Sequence, residues 1–409
     1  MTSSVPFAAA ITGIGMMTAA GGGTDTAWRA VLAAAGTLAQ PTPTLAGLPT
    51  DMSCWVPSFD ADALLGRRKA WRLDRSSQLA LAATAEAVRD SGLDSASWDG
   101  ARVGVVIGSG IGGATSWERE HTVLLREGPL KVSPLLVPML AINMSAGHIA
   151  MEHQAYGPNF VAATACASGA TAIGLARELL RSNACDIVIT GGTEACLVPS
   201  IIAGFSQMKA LSRIDNPQTA SRPFDATRTG FVPAEGAAIL VLERSEHARA
   251  RRARIHAHIT GYGASADAYH ATAPDPKGRG AERALRAALH DARVGAAEVD
   301  HVNAHGTSTP LNDAVEAHVI HKTLGDRPAV TSAKGVFGHA FGASGAIEAA
   351  VTALTMEYAI IPPTANLTAK DPRIHIDVVS HGPRQGNVEV AVSNSFGFGG
   401  QNGVLVFTR

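Results

Sequence analysis

Residues 161–174 read VAATACASGATAIG. The β-branched and alanine run at 161–165 predicts a short buried strand. It breaks at Cys166-Ala167-Ser168-Gly169, and an alanine-rich helical pattern follows to about residue 180. Cys166 therefore stands at a strand-to-helix turn, at or near a helix N-terminus. Unpaired backbone N–H groups and the helix dipole favour negative charge there. The thiolate is the reactive form of cysteine, so this placement is expected to lower the thiol pKa. Ala165, Ala167, Ser168 and Gly169 leave room for a substrate to reach the sulfur. A buried structural cysteine is the competing reading, and two histidine motifs far downstream decide against it.

The strand–helix rhythm spreads in both directions from this turn. Upstream, residues 7–15 predict a strand running into Gly21-Gly22-Gly23, then a helix to about residue 34 capped by Thr24 or Asp25. Residues 41–57 read as a surface loop and 67–91 as one helix stopped by Gly92. A strand at 103–107 enters Gly108-Ser109-Gly110-Ile111-Gly112-Gly113, which matches the GxGxxG dinucleotide pattern. That pattern also requires a helix directly after it and an acidic residue about 20 positions on. Residues 128–138 hold no Asp or Glu, and a glycine-rich turn lining a pocket is the better reading. A helix is expected at 143–151, and the run DIVITGG at 186–192 reads as a strand buried on both faces. Residues 211–236 look irregular and 237–243 form another strand.

The second half restarts the pattern. Strands are expected at 255–264, 299–304, 329–332, 388–393 and 404–407, with helices at 280–292, 313–324 and 343–358. Each half should be a layered α/β unit with a mostly parallel sheet. The basic run at 249–254 marks a plausible boundary, and the two halves read as copies of one topology.

Composition narrows the function classes. The chain has 409 residues and is 46% hydrophobic, enough for two or three domains or one large duplicated unit. Lys+Arg 34 against Asp+Glu 35 leaves a net charge of -1, which argues against a nucleic-acid footprint or a broad membrane-binding face. Cys54, Cys166, Cys185 and Cys196 make neither a disulfide framework nor a CxxC zinc pair. The opening MTSSVPFAAAITGIG lacks a basic n-region and reads as a first strand rather than a signal peptide. No apolar run reaches membrane length, and a cytoplasmic protein is expected.

Three further segments carry polar groups where strands end. The first is Asn303-Ala304-His305-Gly306-Thr307-Ser308-Thr309-Pro310, the second Ser332-Ala333-Lys334-Gly335-Val336-Phe337-Gly338-His339, the third Asn394-Ser395-Phe396-Gly397-Phe398-Gly399-Gly400. Taken singly these are a loop histidine, a surface lysine with a capping histidine, and a tight turn. Together with Cys166 they put one nucleophile and two imidazoles beyond the carboxyl ends of parallel strands, where ligands of such sheets bind. The pairs His301/His305 and His318/His321 lack an HExxH context, and no metal site is read from them.

At this point the sequence resembles the β-ketoacyl-[acyl-carrier-protein] synthases of the thiolase superfamily, the elongating type II enzymes in particular. The motifs carrying the likeness are the 108–113 turn, ATACASG, NPQTASRPFD at 216–225, DAYH at 267–270, NAHGTSTP, Lys334…Gly338-His339 and NSFGFGG, in family order and nearly end to end. The resemblance implies a thiolase-like α-β-α-β-α fold of two similar halves, 1–254 carrying the nucleophile and 255–409 carrying the histidines. It implies a decarboxylative Claisen condensation of malonyl-carrier protein with an acyl chain held as a thioester on Cys166, in fatty-acid or polyketide synthesis. By the same likeness the amides of Cys166 and Phe398 hold the acyl oxygen, and His305 and His339 hold the malonyl enolate. Lys334 keeps the imidazoles neutral and should itself be held by a carboxylate, with Glu316 and Glu348 the candidates. Thr307 and Thr309 bind the phosphopantetheine arm, Ile111, Leu136 and Phe396 contact substrate, and Phe398 gates the site. No cofactor is implied beyond the carrier protein's phosphopantetheine. The partners implied are acyl carrier protein and either a second copy or a chain-length-factor-like subunit.

Gln401, Leu136, Phe337 and Phe341 depart from the housekeeping pattern and hint at a specialised pathway. A degradative thiolase would need a second reactive cysteine in the C-terminal half, and all four cysteines precede residue 200. A non-catalytic partner subunit would lack the nucleophile.

Overall fold

The computed structural model describes residues 7–409; residues 1–6, where the leader reading begins, lie outside the described residues. Five core strands form each half. They are β1 (Ala9–Thr18), β2 (Val103–Gly108), β3 (Asn159–Ala162), β4 (Ile187–Glu194) and β5 (Gly236–Arg244), then β6 (Ala257–Ala266), β7 (His301–Asn303), β8 (Ala329–Thr331), β9 (Val390–Gly397) and β10 (Gln401–Thr408). The order β3-β2-β4-β5-β1 in the first half recurs as β8-β7-β9-β10-β6 in the second. In each half the last strand alone runs against its neighbours, and the others pair in parallel. Residues 9–11 of β1 pair antiparallel with β6 and join the two halves edge to edge. The duplication is one of topology.

Six long helices complete the layers: α1 (Arg75–Ser91), α2 (Ala114–Glu127), α3 (Ser168–Arg181), α4 (Arg279–Ala292), α5 (Pro310–Leu324) and α6 (Ser344–Tyr358). α1 covers β1 and β5 from outside, and α4 covers β6 and β10. α3 and α6 touch each other and contact strands of both halves, which makes them the middle layer. α6 is buried on every side from Ser344 through Met356, as a helix between two sheets must be. The two meet at glycines. A Cβ on Gly169 would lie 2.6 Å from the Ala346 amide nitrogen, and one on Gly345 would lie 2.8 Å from that of Ala170. This approach brings Cys166, just ahead of α3, close to His339, just ahead of α6.

Three expectations are corrected. The helix expected at 67–91 is broken into Arg67–Ala70 and α1, and a further short helix, Ala61–Leu65, precedes it. Asp74 caps α1 through Ser76 N–H at 2.9 Å and also holds the Ser116 amide at 2.9 Å, so its side chain is committed to ending one turn and starting another. The strand expected at 161–165 begins at Asn159 and stops at Ala162. It is an edge strand with Asn159 and Phe160 exposed, and the chain then leaves the sheet through Ala165 at φ 50°. The loop at 41–57 contains a small hairpin pairing Gln40–Pro41 with Met52–Ser53. Among the described residues no helix is long and apolar enough to cross a membrane.

Candidate active site

Cys166 sits in a single 3-10 turn, Ala165–Ala167, directly before α3. The left-handed backbone at Ala165, which costs a non-glycine residue about 1–2 kcal/mol, bends the chain sharply here. Ser168 holds the bend: its hydroxyl donates to the Ala165 carbonyl at 2.6 Å and accepts from the Thr164 amide at 2.9 Å. The sulfur accepts the backbone N–H of Phe398, the residue after β9. Burial pushes the thiol up to about 12, against the pull of the Lys334 ammonium and that N–H. The expected lowering is thus overturned: inside the cavity desolvation of the sulfur outweighs the helix end, and Cys166 rests as a thiol.

The two imidazoles come from the second half. His305 lies two residues beyond β7. Its own amide and that of Gly306 donate to the Glu316 carboxylate of α5, both at 2.7 Å. His339 follows β8 and is pinned by backbone pairing with the 232–234 segment, its amide donating to the Val232 carbonyl at 2.8 Å. The two rings stand 5.5 Å apart, nearly perpendicular. Lys334 Nζ donates to the His305 carbonyl at 2.6 Å and lies 3.3 Å from His305 Nδ1. It also pairs with Glu348 of α6. Burial first, then the nearby Lys334 ammonium, drives both histidine pKa values well below the ordinary range, so both rings are neutral.

Cys166, His305, Thr307, Thr309, His339, Phe396 and Phe398 line one cavity of about 380 Å³. The Thr307 and Thr309 hydroxyls bond each other at 2.9 Å. Phe396 lies 5.8 Å from the His305 ring and Phe398 lies 6.2 Å from Phe205. The geometry departs from expectation at Glu316. It does not pair with Lys334; it braces the His305 loop and takes the Asn394 amide at 3.1 Å, leaving Glu348 as the lysine's partner. Ile111 and Leu136 do not line this cavity; Ile111 is exposed and Leu136 half-buried in a short helix, Leu136–Leu140. Of the four departures noted in sequence, Phe341 alone faces the cavity, while Phe337 is packed in the core.

Sequence reasoning passed over three features. The glycine turn at 108–113 is followed directly by a helix, α2, contrary to the reason given against a dinucleotide site. What occupies its amides is the Glu194 carboxylate from the end of β4, which accepts Gly110 N–H at 2.6 Å, Ile111 N–H at 3.2 Å and Gly112 N–H at 3.3 Å. An internal anion thus fills the place a phosphate would need. Phe205 and Phe231 form an aromatic wall with Phe341, Phe205 stacking on Phe341 at 4.9 Å and Phe231 meeting His339 edge-on at 5.2 Å. Finally, the Ser344 hydroxyl touches His339 Nδ1 at 2.9 Å. The phenylalanines carry no motif of their own. Ser344 was within reach, five positions after a candidate histidine at a helix start.

Two family models match the chain: beta-ketoacyl synthase, N-terminal domain, over residues 8–248, and beta-ketoacyl synthase, C-terminal domain, over 256–368. The 3-oxoacyl-[acyl-carrier-protein] synthase 2 of Vibrio harveyi is 40% identical over 405 residues, covering 98% of each chain. Among solved structures, the ishigamide ketosynthase/chain length factor superposes with a TM-score of 0.93 at 32% identity, covering 99% of both chains. A beta-ketoacyl synthase from Burkholderia phymatum superposes at 0.92 with 35% identity, covering 98% of this chain and 99% of that one.

Proposed function

The chain belongs to the beta-ketoacyl synthase family, and on that premise we propose how its own residues divide the condensation. The acyl thioester of a carrier protein transfers to the Cys166 sulfur, releasing the carrier's thiol. Malonyl carrier protein enters next and loses carbon dioxide. Its enolate carbon attacks the Cys166 thioester, the C–S bond breaks, and a β-ketoacyl thioester lengthened by two carbons leaves on the carrier. Residues 1–254 supply the nucleophile and residues 255–409 the imidazoles. The observation that carries this reading is the convergence of Cys166, His305 and His339 on one cavity with Lys334 behind them.

Each role follows from its surroundings. The N–H groups of Cys166 and Phe398 stabilise the oxygen of the acyl thioester during attack. Neutral His305 and His339 donate to the malonyl thioester oxygen as the enolate forms, and losing one such donor costs on the order of 100- to 1000-fold in rate. A thiol at rest means that Cys166 gives up its proton only when the acyl donor is in place. Thr307 and Thr309 hold the phosphopantetheine arm along the cavity wall. Ile111 and Leu136, on an outer apolar face, border the acyl chain where a second subunit of the same fold closes over it. That subunit is another copy or, as in the ishigamide pair, a chain length factor. Carrier-bound substrates put the work in the cytoplasm.

The test is reconstitution with acyl- and malonyl-carrier proteins. Cys166→Ala is expected to abolish both acyl uptake and condensation, and iodoacetamide to label Cys166 in the native chain. His339→Ala should still accept the acyl group but release no carbon dioxide. Normal condensation by either variant would refute the roles assigned.

A further inference from the structure

His339 can donate to an oxyanion only if its proton sits on the nitrogen facing the cavity. For a neutral imidazole that choice is made by whatever the other nitrogen meets. In His305 the other nitrogen, Nδ1, lies 3.3 Å from the Lys334 ammonium, which has protons to donate and no lone pair. Lys334 therefore fixes His305 with a bare Nδ1 and a protonated Nε2. No charged donor does this for His339. Its Nδ1 faces the Ser344 hydroxyl at 2.9 Å. A hydroxyl can accept or donate, so the direction of this bond has to be argued.

Two observations fix it. His339 and Ser344 are 2% and 3% exposed, so water does not complete their bonding. Among the described residues the Ser344 side chain has this one hydrogen-bond partner. Were His339 to donate, the serine proton would be buried with nowhere to go, a cost avoided when the serine donates. Ser344 is also the first residue of α6. The positive end of a helix favours the hydroxyl oxygen turned toward it and the hydrogen turned away, and here that means toward Nδ1.

We infer that Ser344 is a positioning residue for the condensation: its hydroxyl donates to His339 Nδ1 and so holds Nε2 protonated toward the malonyl thioester. This rests on the proposed function of the same cavity. Ser344 touches no substrate and acts through His339 alone. Phe231 edge-on and Phe341 beside the ring restrain its tilt but give it no hydrogen bond, so the serine is the group that sets the tautomer.

Ser344→Ala is expected to slow carbon dioxide release from malonyl carrier protein about tenfold, the worth of one neutral hydrogen bond, with acyl uptake on Cys166 unchanged. Unchanged uptake also shows that the variant is folded. Ser344→Thr, which keeps the hydroxyl, should restore most of the rate. In nitrogen-15 histidine spectra, with the His339 signals assigned by their loss in His339→Asn, the native protein should show a bare Nδ1 and a protonated Nε2. Ser344→Ala should show a mixture. A native Nδ1–H form, or native decarboxylation by Ser344→Ala, overturns the inference while leaving condensation on Cys166 standing. Absence of condensation in the native protein would instead overturn the function on which it rests.

Discussion

At the residue scale the site keeps two imidazoles uncharged in a pocket that also holds an ammonium. An ordinary histidine gains its proton as pH falls through about 6.5. His305 and His339 do not, because burial and Lys334 both oppose the added charge. Carbon dioxide release by the acylated enzyme is therefore expected to stay level from about pH 8 to about pH 5.5, where an unperturbed imidazole would already show an acid limb. Lys334→Met with Glu348→Gln removes the cation and its partner together, so no lone charge is left buried. In that double variant the histidine pKa values should rise and a limb should enter the measured range; a level profile in both proteins would mean that Lys334 does not set them. Stability has the same sign at these two rings. Below about pH 6.5 the unfolded chain binds protons there that the folded chain refuses, and each ring then subtracts about 1.4 kcal/mol per pH unit until its own low pKa is reached. His256 works the other way. Set between Asp90 and Glu357, its pKa is raised, so its contribution is full below about pH 6.5 and lost as pH rises through the raised value.

At the scale of elements, the close packing of α3 on α6 sets how near Cys166 stands to His339. Gly345→Ala tests this. Alanine in a helix gains about 1 kcal/mol of propensity over glycine. Its Cβ would press on the Ala170 backbone nitrogen at 2.8 Å, and that atom belongs to a buried helix that cannot turn aside. Overpacking of about 1–3 kcal/mol should win, seen as a lower urea midpoint. Condensation should fall more than acyl uptake, because the shift moves Cys166 away from His339 while leaving each half intact. A variant more stable than native with full activity would mean that the helices have slack. The strands and the helices around this contact were legible in sequence because runs such as VGVVIG are apolar at every position, as a strand covered on both faces requires. Cys166, His305 and His339 were legible because each lies in a turn beyond a strand, flanked on both sides by glycine or alanine. α2 was not, since most of its large apolar residues, Trp117, Leu124 and Leu125, face outward and leave no core-facing stripe to read. Glu194 was not either: its partners are 82 to 148 positions away in sequence, and nothing local distinguishes it from any charge that ends a strand. The left-handed Ala165 was hidden for a different reason, because alanine is a residue that local rules place in helices.

At the scale of the whole molecule, one edge of the sheet is unfinished. β3 pairs with β2 on one side and ends the order on the other. Next to it run the helix Met144–Glu152, the helix Leu136–Leu140 and α2, packed one against the next. On these elements and their connections Leu125, Leu130, Val137, Met151, Tyr156 and Phe160 are exposed, Leu130 by 98%. An open strand edge bordered by that much apolar surface is a liability for a lone chain. A two-fold partner applying its own β3 would pair the edges antiparallel and bury both apolar faces at once. Sedimentation at micromolar concentration separates the two forms this can take. A mass of twice 42.1 kDa for the chain alone means a homodimer. A mass of 42.1 kDa alone, doubling only with a related subunit added, means a heterodimer. Phe160→Asp puts a carboxylate on the edge, where pairing would bury it without a partner, and should leave a folded monomer in either case. Because Leu136 belongs to a helix of this face, and it and the exposed Ile111 both stand apart from the Cys166 cavity, the monomer should also lose its preference among long acyl chains while still taking up a short one. A native chain that stays single with every related subunit, or a Phe160→Asp dimer, would remove this face from the assembly and the acyl pocket with it.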